Sequence, residues 1–133
     1  ALEWAIAERG LGDAVELLGH VAPPDIAALY RRCAVFVFPS LVETFGNPLV
    51  EAMACGAPIV CSDAAAMPEV VGEAALLFDP GDVDALTARL QEVLADPDLQ
   101  RDLGLRAQGR AKNYSWDETA RRTATVLKAS ATA

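Results

Sequence analysis

Glu43 and Glu51 stand eight positions apart, with Thr44, Phe45, Gly46, Asn47, Pro48, Leu49 and Val50 between them. Two carboxylates and a helix start therefore fall in one place. Asn47 has the side chain of a helix N-cap and Pro48 suits the first helical position, so backbone N–H groups should point out of a new helix here. Such a site suits a phosphate. The spacing alone carries no weight, because Glu8 and Glu16 are also eight apart in an ordinary setting.

The surrounding elements give the pair its context. Apolar Ala34 to Phe38 before it and Pro58 to Cys61 after it read as buried strands, which makes a strand-loop-helix-strand unit. Continuous apolarity in the first of them predicts burial on both faces, as in a parallel sheet. Upstream, residues 1–9 have helical composition and end at Gly10 and Gly12, and Val15 to Leu18 is a short strand candidate closed by Gly19. Asp25 to Arg32 reads as a helix with Ile26, Leu29 and Tyr30 on one face. Downstream, Pro48 to Cys55 is a short helix stopped by Gly56, Ile59 to Cys61 a strand, Pro68 to Val71 about one helical turn, and Ala75 to Phe78 the last strand.

Three C-terminal helices complete the pattern. Asp82 can cap a helix to Ala95 that places Val83, Leu86, Leu90, Val93 and Leu94 on one stripe, and Asp96-Pro97 restarts another to about Lys112. Ser115-Trp116-Asp117-Glu118 has the form of a capping box, with Ser115 bonding forward and Glu118 reaching back, before a final helix to about Lys128. Strands alternating with helices predict an α/β fold, a Rossmann-like parallel sheet with helices on both faces. Ligands of such sheets bind outside the carboxyl ends of the strands. Those ends are Gly19-His20-Val21, Pro39 to Asn47, Ser62-Asp63 and Asp79-Pro80.

With 133 residues, 53% of them hydrophobic, the chain has the material for one domain with a real core. No apolar run reaches the roughly 20 residues that span a bilayer, and a basic start with an apolar core, as in a signal peptide, is missing, so a cytoplasmic location is expected. The net charge of −8 and the scattered Lys and Arg argue against nucleic acid. Arg106, Arg110 and Lys112 read as a solvated helix face. Cys33, Cys55 and Cys61 lack metal-ligand spacing and read as buried reduced thiols, while Phe36, Phe38, Trp4 and Trp116 read as core.

Around the glutamate pair, Phe38-Pro39-Ser40, Glu51-Ala52-Met53-Ala54-Cys55-Gly56, Met67-Pro68-Glu69-Val70-Val71-Gly72 and Leu76-Leu77-Phe78-Asp79-Pro80 follow in order. From about Leu17 onward the chain resembles the retaining, nucleotide-sugar-dependent glycosyltransferases of the GT-B fold that carry an E-x7-E motif, the family 4-like group, and within them the C-terminal donor-binding half. The resemblance implies that residues 1–133 form one donor-binding domain, expected to be a fragment without its first strand and phosphate-binding loop and without the acceptor-binding half, and so inactive alone. It implies that Glu51 holds the ribose hydroxyls and that Glu43, the catalytic candidate, faces the donor sugar. The loop and helix start at Thr44, Phe45, Gly46, Asn47, Pro48 and Leu49 would meet sugar and diphosphate, with backbone N–H groups near Gly46, Asn47 and Leu49 as donors. The main chain at His20 and Val21 would read the base.

The implied ligand is a nucleoside diphosphate sugar, with no tightly held metal or other cofactor, although a loosely associated Mg²⁺ on the diphosphate is compatible. The implied partner is an acceptor-binding domain, with peripheral membrane contact of the parent left open. Against these roles stand plainer ones: Glu51 as a solvent-facing helical residue opposite Leu49, Glu43 as a loop acid, Gly46 as a turn residue, and His20 as a loop residue. A glycosidase dyad at Glu43 and Glu51 and an acidic metal site at Asp82 and Asp84 draw little support from the sequence. Other readings of the whole are a non-catalytic nucleotide-binding or interaction module of the same fold, or a GT-B epimerase or phosphorylase relative.

Overall fold

The computed structural model describes residues 2–131. Its centre is a three-stranded parallel sheet in the order β1 (Phe36–Phe38), β2 (Ile59–Ser62), β3 (Leu76–Phe78). Val60 sits opposite Val37 on one side and Leu76 on the other. All four residues of β2 are buried, whereas all three of β1 are only half-buried. The expectation of burial on both faces, made for β1, fails there, because β1 is paired on one edge only among the described residues.

Helices cover both faces, as alternation along β2 makes plain. Ile59 and Cys61 join a core cluster with Leu49, Ala52 and Met53 of α3 (Asn47–Cys55) and with Met67, Val70 and Val71 of α4 (Met67–Val71). Val60 points the other way, into a cluster with Phe78 of β3, Val93 of α5 (Val83–Ala95) and Leu103 of α6 (Pro97–Ala111). Successive residues of a strand face opposite sides, so one strand anchors two hydrophobic layers.

Helix punctuation was largely legible. The Asp82 carboxylate accepts from Ala85 N–H at 2.8 Å, and the Asp96 carboxylate from Asp98 and Leu99 N–H at 2.9 and 3.0 Å. α7 (Trp116–Ala131) begins with Glu118 N–H donating to Ser115 Oγ at 3.1 Å. The return half of that capping box is not made. The Glu118 carboxylate instead takes Arg121 and Arg122, which hold it below the usual carboxylate range.

Four further expectations are corrected. Val15 to Leu18 is irregular and exposed; a strand exists only through its ladder, and no described strand lies beside this segment. Trp4 on α1 (Leu2–Glu8) and Trp116 are 67% and 84% exposed and are not core, because neither helix buries a residue. Arg110 is not a solvated helix residue: its guanidinium donates to the Val70 carbonyl at 3.0 Å and the Glu69 carbonyl at 2.6 Å. Cys33 and Cys55 are half-buried and only Cys61 is fully buried, all three as free thiols. α2 (Pro23–Arg32) packs against α3, and none of the described helices is long and apolar enough to cross a membrane.

Candidate functional site at the carboxyl edge of the sheet

The chain leaves β1 at Phe38 and re-enters regular structure at Asn47, and that loop carries Glu43. A hydrogen-bond chain fixes it. Ser62 ends β2 with a fully buried side chain, and its hydroxyl donates to the Ser40 carbonyl across 22 residues of sequence. The Ser40 hydroxyl in turn reaches Glu43 Oε1 at 3.1 Å, with the Val42 carbonyl as an alternative acceptor at 3.3 Å. The interior of the sheet thus orients the half-buried Glu43 carboxylate through two serines.

α3 starts differently from the expected Asn47 cap. The capping position is Gly46, with φ 79° and ψ 61°, and Asn47 is already helical. This left-handed conformation excludes most L-residues, and an added Cβ would lie 3.2 Å from Leu49 Cδ1, so both conformation and space call for glycine. Gly46 has no side chain to cap with, so the first turn, which includes Pro48, receives no side-chain cap. The positive end of this nine-residue helix is thus without a side-chain cap, with Gly46 itself buried and Asn47 exposed. The Leu49 amide, expected to meet the diphosphate, is committed to the Gly46 carbonyl at 2.9 Å, and its side chain is fully buried. Gly46 and Asn47 remain the candidate amide donors.

Glu51 lies exposed on the outer side of α3, while Leu49, Ala52 and Met53 turn inward. Across from it stands Tyr30 of α2, whose ring packs edge-on against Phe36 with centroids 5.0 Å apart. Burial raises the Tyr30 phenol above its ordinary pKa, and the nearby Glu51 carboxylate raises it further, which keeps the hydroxyl neutral. Next to this helix lies an open cleft of about 990 Å³, lined by His20, Val21 and Ala22 with Asp25, Leu29 and Cys33 of the α2 region. His20 and Val21 therefore share a wall of one cleft. Thr44 and Phe45 are exposed in the β1–α3 loop. Among the described residues, no three His, Cys, Asp or Glu side chains gather as metal ligands.

In the sequence Ser62 marks a strand end and Ser40 belongs to a motif, but neither receives a role of its own. Both are ordinary polar residues at strand ends, and only a contact across the sheet reveals their link. Tyr30 was assigned to a helix face, and its neighbourhood to Glu51 becomes visible only when α2 packs on α3.

Fold and site together define an α/β domain of the Rossmann-like type whose candidate loop, from Glu43 to Gly46, leaves the carboxyl end of β1 in a parallel sheet. Residues 1–110 match the family described as Glycosyl transferases group 1, and the chain belongs to it. Among similar proteins, the O-antigen chain mannosyltransferase B of Escherichia coli is 40% identical over 94% of this chain and 33% of its own length. The MMP alpha-(1->4)-mannosyltransferase of Mycolicibacterium hassiacum is 44% identical over 95% of this chain and 32% of its own length. The chain spans about a third of the length of these relatives. Among solved structures, the sucrose-phosphate synthase of Thermosynechococcus elongatus superposes with a TM-score of 0.88 at 33% identity, covering 96% of this chain and 33% of that one. The Anabaena protein Alr3699/HepE, in complex with UDP-glucose, gives 0.87 at 28% identity over 96% of this chain and 36% of that one. The fold is that of the C-terminal domain of GT-B glycosyltransferases.

Proposed function

We infer that this chain is the donor-binding domain of a retaining glycosyltransferase, which moves a sugar from a nucleoside diphosphate sugar to an acceptor hydroxyl. The observation that carries the reading is the uncapped start of α3 at Gly46, flanked by Glu43 and Glu51 at the carboxyl edge of the sheet. The UDP-glucose held by the Anabaena neighbour supports the class of ligand, and the named activities of the relatives support group transfer.

Each group has a defined task in this account. Glu51, exposed on the outer side of α3, accepts hydrogen bonds from the two ribose hydroxyls. The Gly46 and Asn47 amides and the positive end of α3 stabilise the charge that grows on the departing diphosphate, with Thr44, Phe45 and Pro48 shaping the approach. Glu43, pinned by Ser40, faces the sugar and helps hold its anomeric carbon in position. His20 and Val21 meet the base in the cleft beside α2. The acceptor is held by a domain supplied by the rest of the complete protein, so this chain alone binds donor without turning it over. A cytoplasmic site of action fits the supply of nucleotide sugars, and peripheral membrane contact belongs to the remainder of the protein.

The test is product analysis with the complete protein, supplied with UDP-, GDP- and ADP-sugars and candidate acceptors. Release of free nucleoside diphosphate together with a glycoside of unchanged anomeric configuration is expected. A glycoside of inverted configuration contradicts the retaining mechanism. An epimerised sugar, phosphorolysis, or no product from any donor contradicts transfer itself.

A further inference from the structure

α6 packs on α3. Its Gly104 sits so close to the C-terminal end of α3 that an added Cβ would come within 2.6 Å of the Gly56 carbonyl oxygen. Tyr114, just past the last turn of α6, reaches the loop that carries Glu43 and Gly46. There the Tyr114 ring meets Phe45 edge-on, with centroids 5.5 Å apart and planes at 72°. Nothing in the assigned roles of the site calls for this meeting.

Tyr114 is itself fixed from behind. Its hydroxyl donates to the Val70 carbonyl at 2.9 Å, and Arg110 donates to the same carbonyl, to the Glu69 carbonyl and, at 3.3 Å, to the Tyr114 oxygen. The guanidinium also lies 5.7 Å from the ring centroid. Phe45, by contrast, is 39% exposed and sits between Glu43 and Gly46 in a loop without regular structure. The aromatic contact thus joins the irregular side of the candidate site to a rigid anchor made of α4 and α6.

We propose that Tyr114, held by Arg110 and the end of α4, is a positioning residue that clamps Phe45 and so preorganises the Glu43–Gly46 loop for the donor. The proposal rests on the donor-site reading above and adds a group that reading does not use. Its energetic logic is preorganisation. A loop already held in its bound shape loses less freedom on binding, so releasing the clamp weakens donor binding by at most what the clamp contributes. An edge-to-face aromatic pair corresponds to roughly a two- to twelvefold change in affinity.

The experiment is calorimetric binding to the complete protein of whichever of UDP, GDP and ADP it binds, with thermal unfolding measured in parallel. Tyr114→Ala is expected to raise Kd by roughly two- to twelvefold. Tyr114→Phe keeps the ring but loses the Val70 bond; it should lower Tm while leaving Kd within about twofold of the parent. A merely structural tyrosine would move Tm and Kd together in both variants. Phe45→Ala closes a double-mutant cycle: once Phe45 is gone, Tyr114→Ala should have no further effect on Kd. Should Tyr114→Ala fail to fold, Tyr114→Leu, which fills most of the space without an aromatic edge, carries the same expectation.

Unchanged Kd in Tyr114→Ala, or additive effects in the cycle, overturns the clamp. Glu51→Gln separates the two levels of the argument. If it weakens binding while Tyr114→Ala does not, the clamp alone falls; if neither variant matters, or no nucleotide binds, the site reading falls and the clamp with it.

Discussion

Ser62→Ala is the sharpest perturbation of the architecture that holds Glu43. The substitution removes one oxygen and leaves Cβ in place, so cavity formation contributes little and the hydrogen bond dominates. The wild-type side chain is fully buried and its hydroxyl donates to the Ser40 carbonyl, which loses its partner in the variant. A net hydrogen bond contributes about 0.5–1.5 kcal/mol, and a buried acceptor left unpaired costs about 1–3 kcal/mol. Water can reach the half-buried Ser40, so the lower part of the second range applies, and a total of about 1–2 kcal/mol is expected. For a domain of this size, that corresponds to a fall in Tm of roughly 3–10 °C. Urea unfolding followed by circular dichroism should show a lower midpoint with an unchanged slope, the signature of lost stability without a changed unfolded state. A loss below about 0.3 kcal/mol would refute the claim that Ser62 anchors the loop, because that lies under the net worth of a single buried hydrogen bond.

Glu51→Gln keeps size and burial while removing charge, and it should weaken nucleotide binding by about 1.5–3 kcal/mol, with a change under about twofold removing Glu51 from the site. Two glycines of α6 should respond in opposite directions to alanine. At Gly104 the new Cβ meets the Gly56 backbone oxygen, and overpacking of about 1–3 kcal/mol should exceed the helix-propensity gain of up to about 1 kcal/mol. Gly109 has nothing within 4 Å of the new Cβ, so Gly109→Ala should stabilise by about 0.5–1 kcal/mol, and denaturation midpoints check both. Burial pushes the Cys61 thiol from 9.0 up to about 12. The folded state therefore holds its proton where the unfolded chain has lost it, and this contribution to stability is full below pH 9 and declines as pH rises toward 12. Denaturation midpoints across that window should fall less steeply in Cys61→Ala than in the parent protein.

What the sequence revealed and what it hid divide along the range of the interactions. The α5 and α6 starts were legible because Asp82 and Asp96 bond amides two or three residues away. β2 was legible because a run buried on both sides needs no polar alternation. The Gly46 cap was misread by one residue, since Asn47 has the better capping side chain and only backbone geometry shows glycine taking the place in the left-handed region. Arg110 looked like one of several scattered cations because its partners, Glu69 and Val70, lie 40 and more residues away. Trp4 and Trp116 were placed in the core on residue type, although burial depends on what packs against a helix, and α1 and α7 bury nothing. The acidic pair and its helix start were visible from the outset; the serines and the tyrosine that hold the loop were not.

The central claim is that the start of α3 and the cleft beside α2 form one nucleotide site. An NMR titration of the isotope-labelled chain with UDP, GDP and ADP, at millimolar ligand, tests it most directly. Saturable shifts are expected for one of the three, concentrated at Gly46, Asn47 and Glu51 and at His20 and Val21. Shifts confined to other surfaces, or none in the same titration of the complete protein, would contradict it.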